Sequence, residues 1–239
     1  MPKCTYTPPH IQPNTEEMRG MDGRELMKNM LKKDDNEIKK IRSNKKRALL
    51  IAIAEELKKI PCEVERLQEV LTKNLVFYKS NIKVLVDYDG HTKPNKNTIQ
   101  QEVQIMAKSG KISLLLVMGH GGKYDSLDIF PTHSPYVKGV VIIVYMDCCY
   151  AGALFKRAKQ FSRRRGKIIF YGACEEGQKA IDGDFLSMSV LPILRSMDKK
   201  ITNEEFYNMI YKKFNDMKTK AKSVLYCTNE MRYAYHLED

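Results

Sequence analysis

Apolar residues gather in this chain as short unbroken runs, separated by stretches in which they return every third or fourth position. The runs Ala48–Ala54, Ile82–Val86, Leu114–Met118, Val140–Met146 and Lys167–Gly172 are rich in Val, Ile and Leu and lack the polar alternation of a half-exposed strand. Strands covered on both faces read this way. Val224–Cys227 is a shorter sixth run. Between the runs, Val64, Leu67, Val70 and Leu71 mark a helix over Cys62–Leu75, and Asn97 is the expected N-cap of a helix over Thr98–Lys108. Further helices are expected over Phe185–Met197 and from Thr202 to about Lys218, where Thr202 and Glu205 have capping-box spacing. Strand and helix alternate without internal repeat, so the expected fold is α/β, a mainly parallel central sheet between helices.

Upstream of the first run the pattern changes. Pro2, Pro8, Pro9 and Pro13 make residues 1–14 an extended arm, Met18, Met21, Leu26, Met30 and Leu31 give residues 15–33 a loose helical face, and Lys32–Lys46 is a mixed-charge linker. The organisation expected is an N-terminal arm over 1–46 and one domain over 47–239, interrupted by a basic linker at 152–166.

Two runs end in chemistry. Leu114–Met118 leads into Gly119-His120-Gly121-Gly122, and Val140–Met146 leads into Asp147-Cys148-Cys149-Tyr150-Ala151-Gly152. In an open parallel sheet ligands bind beyond the carboxyl ends of the strands. Adjacent strands lie roughly 4.8 Å apart, so if these two are neighbours a histidine and a cysteine emerge together into that crevice. A thiol beside a base is the smallest unit of nucleophilic catalysis, and the flanking glycines leave room for a substrate.

The chain has 239 residues, enough for one α/β domain, and its 43% apolar and 29% charged content is that of a folded domain. No apolar run has the length of a membrane span, and the Pro-rich, acid-containing start is not a secretory signal. The six cysteines, Cys4, Cys62, Cys148, Cys149, Cys174 and Cys227, form no pairing framework. A reducing setting inside the cell, cytoplasmic, is expected. The 41 Lys and Arg outnumber 29 Asp and Glu, for a net charge of +12. That charge admits an acidic partner, but the basic residues are scattered and no base-reading motif accompanies them, which argues against nucleic acid. A zinc site built from the cysteines with His120 or His133 lacks the spacing of two to four residues between cysteines that structural sites use.

Gly-His-Gly-Gly followed by Asp-Cys-Cys-Tyr-Ala-Gly resembles the His-Gly and Asp-x-Cys-x-x-Gly motifs of the caspase and metacaspase superfamily of cysteine peptidases. Val84–Ile99, Tyr171–Ala180 (YGACEEGQKA) and Gly183–Leu191 are similar to family segments in the same order, so the resemblance spans about Arg47 to Leu194. It is closer to metacaspases, because Asp147 stands where the caspase signature Gln-Ala-Cys-x-Gly has Gln and Gly152 comes three positions after Cys149; His120 precedes Cys149 by fewer positions than the roughly 50 of that signature.

The resemblance implies a caspase-like three-layer sandwich and a Cys-His dyad. Its register selects Cys149 as nucleophile, with Cys148 a buried neighbour, and His120 as the base that later protonates the leaving amine. Gly121 and Cys149 match the two backbone N–H donors of an oxyanion hole. Metacaspases cut after Arg or Lys with acids in the pocket. Asp147 matches one such acid, and Glu63 falls near the second, although an ordinary exposed helix residue is an equal reading of Glu63. Lys59 lies near the place where caspases put a pocket arginine. Many metacaspases need calcium, but only Asp125, Asp128 and Asp147 lie between His120 and Cys149, a poor cage for a cation wanting six to eight oxygens. No metal or other cofactor is expected.

The leading reading is therefore a cysteine endopeptidase acting on protein or peptide substrates, cutting after Arg or Lys. Its alternative is a catalytically silent caspase-like module that binds or dimerises, favoured by the short His–Cys separation. Oligomeric state stays open, since caspases pair through an edge strand and metacaspases usually do not. Self-processing is an expectation of the first reading, because Lys45-Lys46-Arg47 before the first core strand and the linker residues Lys156, Arg157, Lys159 and Arg163–Arg165 after the nucleophile offer basic sites.

Overall fold

The computed structural model describes residues 46–54, 57, 59–88, 90–109, 112–120, 141–154, 167–181, 184–197, 200–217, 222–227 and 229–237. The N-terminal arm, the segment 121–140 and the linker from 155 to 166 lie outside the described residues.

All six apolar runs are strands of one sheet: β1 (Lys46–Ile53), β2 (Ile82–Val86), β3 (Ile112–Gly119), β4 (Val141–Cys148), β5 (Lys167–Gly172) and β6 (Val224–Cys227). Their order across the sheet is β2-β1-β3-β4-β5-β6. The first five are parallel and β6 runs antiparallel on the outer side of β5. The chain steps one way from β1 to β2, then crosses back over β1 to β3. Right-handed crossovers in opposite directions put their two helices on opposite faces, α1 (Ile60–Lys73) on one and α2 (Lys96–Ser109) on the other. That explains the missing alternation: Leu49, Leu50, Ile51 and Ala52 are each at most 1% exposed, because neither face of β1 meets water.

The helix boundaries differ from the sequence expectation where local hydrogen bonding decides them. α1 opens two residues early, with Pro61 in its first turn, where the missing N–H costs nothing. For α2 the cap is Asn95 rather than Asn97: its side chain accepts from the Thr98 N–H at 3.0 Å while its own N–H donates to Thr98 Oγ1 at 3.1 Å. Thr98 supplies the answering oxygen that makes Asn95 the better start. The expected helix over Phe185–Met197 is a π-helical turn (Leu186–Val190) running into α3 (Leu191–Ser196). Val190 N–H reaches back five residues to Phe185 O, and Pro192, lacking an N–H, sits in the first turn of α3. The Thr202–Glu205 capping box opens α4 (Asn203–Asp216), and a short α5 (Asn229–Arg232), which the apolar pattern did not reveal, follows β6.

α1 ends in a widened turn: Leu75 N–H reaches back five residues to Val70 O at 3.1 Å, Phe77 N–H reaches back six to Leu71 O at 2.8 Å, and Val76 between them occupies the left-handed region at φ 57°. A β-branched residue there is strained, and Val76 is 41% exposed, so its side chain gains little in return. Val76→Gly is expected to raise stability by about 1 kcal/mol. A urea midpoint at or below that of the wild type would count against this.

Candidate active site

β3 and β4 are neighbours, and their register pairs Gly119 with Cys148. The first residues beyond these paired ends are His120 and Cys149, so the two chemical groups leave the sheet side by side. Gly119 makes the exit with φ 125°, a conformation that residues with a side chain rarely adopt. Cys148, still in the strand, is 2% exposed, whereas Cys149 begins a turn and is partly exposed.

The turn is held tightly. Tyr150, next to Cys149, has a left-handed backbone (φ 60°), and its N–H donates to Gln178 O at 2.9 Å. Gly152 N–H donates to Cys174 O at 3.0 Å. A Cβ on Gly152 would lie 2.3 Å from the backbone nitrogen of Glu176 and 2.7 Å from the carbonyl carbon of Glu175. The last glycine of the Asp-x-Cys-x-x-Gly stretch is thus the place where the segment following β5 presses against the cysteine turn, leaving no space for a side chain. From the same segment, Ala180 O lies 3.8 Å from Cys149 Sγ.

His120, Cys149, Asp147 and Glu63 all line one open cavity of about 110 Å³, floored by Ile60 and Met118 and rimmed by Ile181. The cavity lies where the strand order reverses around β1, the position at which open parallel sheets bind ligands. Both acids are tied to consecutive residues of the π-helical turn. Asp147 Oδ2 accepts the Leu186 N–H at 3.0 Å, and Glu63 Oε1 accepts the Ser187 hydroxyl. Asp147 is 8% exposed and Glu63 only 3%, which overturns the reading of Glu63 as an ordinary exposed helix residue. Its helical position pointed outward by pattern, but the wall that covers it arrives from Leu186–Ser187, far along the chain. Lys59 is not in this cavity. It lines a neighbouring one of about 330 Å³ with Arg66, Asp184 and Met188, on the other side of Glu63.

Gly121, like His133, Asp125 and Asp128, lies outside the described residues. Among the described residues no three His, Cys, Asp or Glu side chains are grouped as metal ligands, and no helix is long and apolar enough to cross a membrane. What the sequence did not single out is the segment 173–181 as the holder of the cysteine turn. The Cys-acid-acid-Gln string was visible, but which backbone groups it would meet depended on the pairing of β4 with β5.

A mainly parallel six-stranded sheet with helices on both faces, and a crevice at its reversal point, defines a caspase-like α/β fold. Solved structures that it resembles include a caspase. Caspase-1 from Spodoptera frugiperda is similar with a TM-score of 0.56 and 15% sequence identity, over 77% of this chain and 87% of that one. drICE is similar with a TM-score of 0.53 and 14% identity, over the same 77% and 87%. No protein-family model matches the sequence, and no curated protein sequence matches it significantly.

Proposed function

We propose that the protein is a cysteine endopeptidase that cuts peptide bonds after Arg or Lys, with Cys149 as nucleophile and His120 as general base and acid. One observation carries the reading: the thiol and the imidazole leave adjacent strand ends into a cavity that also holds two mostly buried carboxylates. Burying carboxylates is costly, and a cationic side chain entering the cavity is attracted by both. A pocket of this charge disfavours an acidic residue at the same position by the same rule.

In the mechanism, the Cys149 thiolate adds to the scissile carbonyl carbon, and the Cys149 N–H, with Gly121 N–H by resemblance, donates to the oxygen that becomes negative. His120 takes the thiol proton and returns it to the departing amine, leaving an acyl-enzyme that water hydrolyses. Asp147 and Glu63 hold the basic side chain and take no part in bond breaking.

The test is a positional-scanning library of fluorogenic peptides under reducing conditions, with and without calcium. Cleavage is expected only with Arg or Lys before the cut. Asp147→Asn should lower kcat/KM on such peptides by about 10- to 100-fold while Cys149 alkylation by iodoacetamide keeps its rate. Preferential cleavage after Asp would overturn the specificity. Absence of both cleavage and selective Cys149 labelling would favour the silent binding module.

A further inference from the structure

We infer that Cys174 is a positioning residue whose thiol holds the turn carrying Cys149 in its reactive geometry. The inference rests on the nucleophile reading above and assigns a role to a second cysteine. Cys174 is fully buried, two residues past the end of β5. Its Sγ lies 3.4 Å from Cys148 O, the carbonyl of the peptide bond that joins Cys148 to Cys149, and 3.3 Å from Gln178 O. Its own carbonyl accepts from Gly152 N–H at 3.0 Å. One residue therefore meets polar groups on both flanks of Cys149, the Cys148 carbonyl before it and the Gly152 N–H at the end of the turn.

The turn needs such a partner. Tyr150 sits in the left-handed region, which is strained for a residue with a side chain, and that conformation persists only if the surroundings hold it. Released, the turn would relax and move Cys149 relative to His120, and an error of about 1 Å at a reacting group can cost on the order of 100-fold in rate. A thiol suits the place because its S–H faces two carbonyl oxygens, Cys148 O and Gln178 O, and sulfur is large enough to lie against both at once. Burial pushes the Cys174 thiol pKa up, which keeps its proton on and the donor intact.

The experiment compares Cys174→Ala, Cys174→Val and Cys174→Ser. Ala and Val remove the polar sulfur while changing volume in opposite directions, so a folding failure of one leaves the other informative; Ser keeps a donor and an acceptor. The first readout is the rate of Cys149 alkylation by iodoacetamide across pH 5.5–9, followed by peptide mapping, which needs no substrate. The folded apolar variants are expected to alkylate Cys149 about 10-fold more slowly at neutral pH with a shifted pH profile, and Ser to restore most of the rate. On peptide substrates the same variants should lose kcat with little change in KM. An apolar variant that folds and alkylates Cys149 with the wild-type rate and pH profile would overturn the clamp. Failure of the protease reading is seen separately, as a wild type that alkylates at Cys149 yet hydrolyses no peptide.

Discussion

Cys149→Ala is expected to abolish hydrolysis, a loss of about 10⁴-fold or more, whereas Cys148→Ala should keep activity within about threefold of wild type. The two thiols are neighbours in sequence and differ in setting. Cys148 is the last strand residue, paired with Gly119 and almost wholly covered. Its replacement removes one buried sulfur, a packing loss of about 1 kcal/mol that lowers stability more than rate. Cys149 is in the turn, partly exposed, and faces the cavity together with His120. His120→Ala should cost about as much as Cys149→Ala, and the double variant no more than either, because groups that act as one unit do not add. The measurement is kcat/KM on the best library peptide for each variant, with folding checked by thermal melt. Equal loss at both cysteines, with both proteins folded, would remove the basis for choosing Cys149.

The second large effect concerns stability in acid. His236 is 1% exposed and stacks on Phe206 with ring centroids 3.9 Å apart. Its Nδ1 lies 2.7 Å from Asn203 Oδ1, and Asn203 Nδ2 donates to Met231 O and Ala234 O, which fixes that amide's orientation. Nδ1 must therefore carry the proton, leaving Nε2 to accept from the Tyr145 hydroxyl. The ring is held neutral: burial, with a smaller contribution from the charge of Lys46, lowers its pKa from 6.5 to about 3. The unfolded chain binds a proton below pH 6.5 that the folded chain refuses until about pH 3, so this residue's contribution is complete above 6.5 and is lost as pH falls toward 3. The loss is roughly 2 kcal/mol at pH 5 and approaches 5 kcal/mol near pH 3. Urea unfolding from pH 7.5 to 4 should show wild-type stability falling more steeply than that of His236→Gln, which has no proton to gain. Parallel curves would show that the folded protein tolerates the imidazolium.

How much of this could be read from sequence depended on the range of the interactions involved. The strands were legible because burial on both faces leaves unbroken apolar runs, and the Thr202–Glu205 cap because both partners lie within one turn. His120 and Cys149 were legible as a pair because each ends such a run, and the pairing of Gly119 with Cys148 then puts them together. Glu63 was ambiguous because a helix position does not reveal a wall contributed by Ser187. The Asn203–His236 network escaped for the same reason: Asn203 and His236 lie 33 positions apart in sequence, and the hydroxyls of Tyr145 in β4 and Tyr171 in β5 join them from the sheet. The π-helical turn was also missed, since its five-residue reach leaves the apolar spacing of Phe185–Leu194 helical in appearance.

The cysteine turn and the segment that grips it belong to different lengths of chain, one before residue 155 and the other after residue 166. Among the described residues they are joined by the parallel ladder of β4 with β5, the Ala173 N–H to Met146 O bond, and the bonds around Gly152 and Tyr150. The position of one sulfur atom is therefore the joint product of two lengths of chain, and a change in residues 173–178 is felt at Cys149 across the sheet rather than along the sequence.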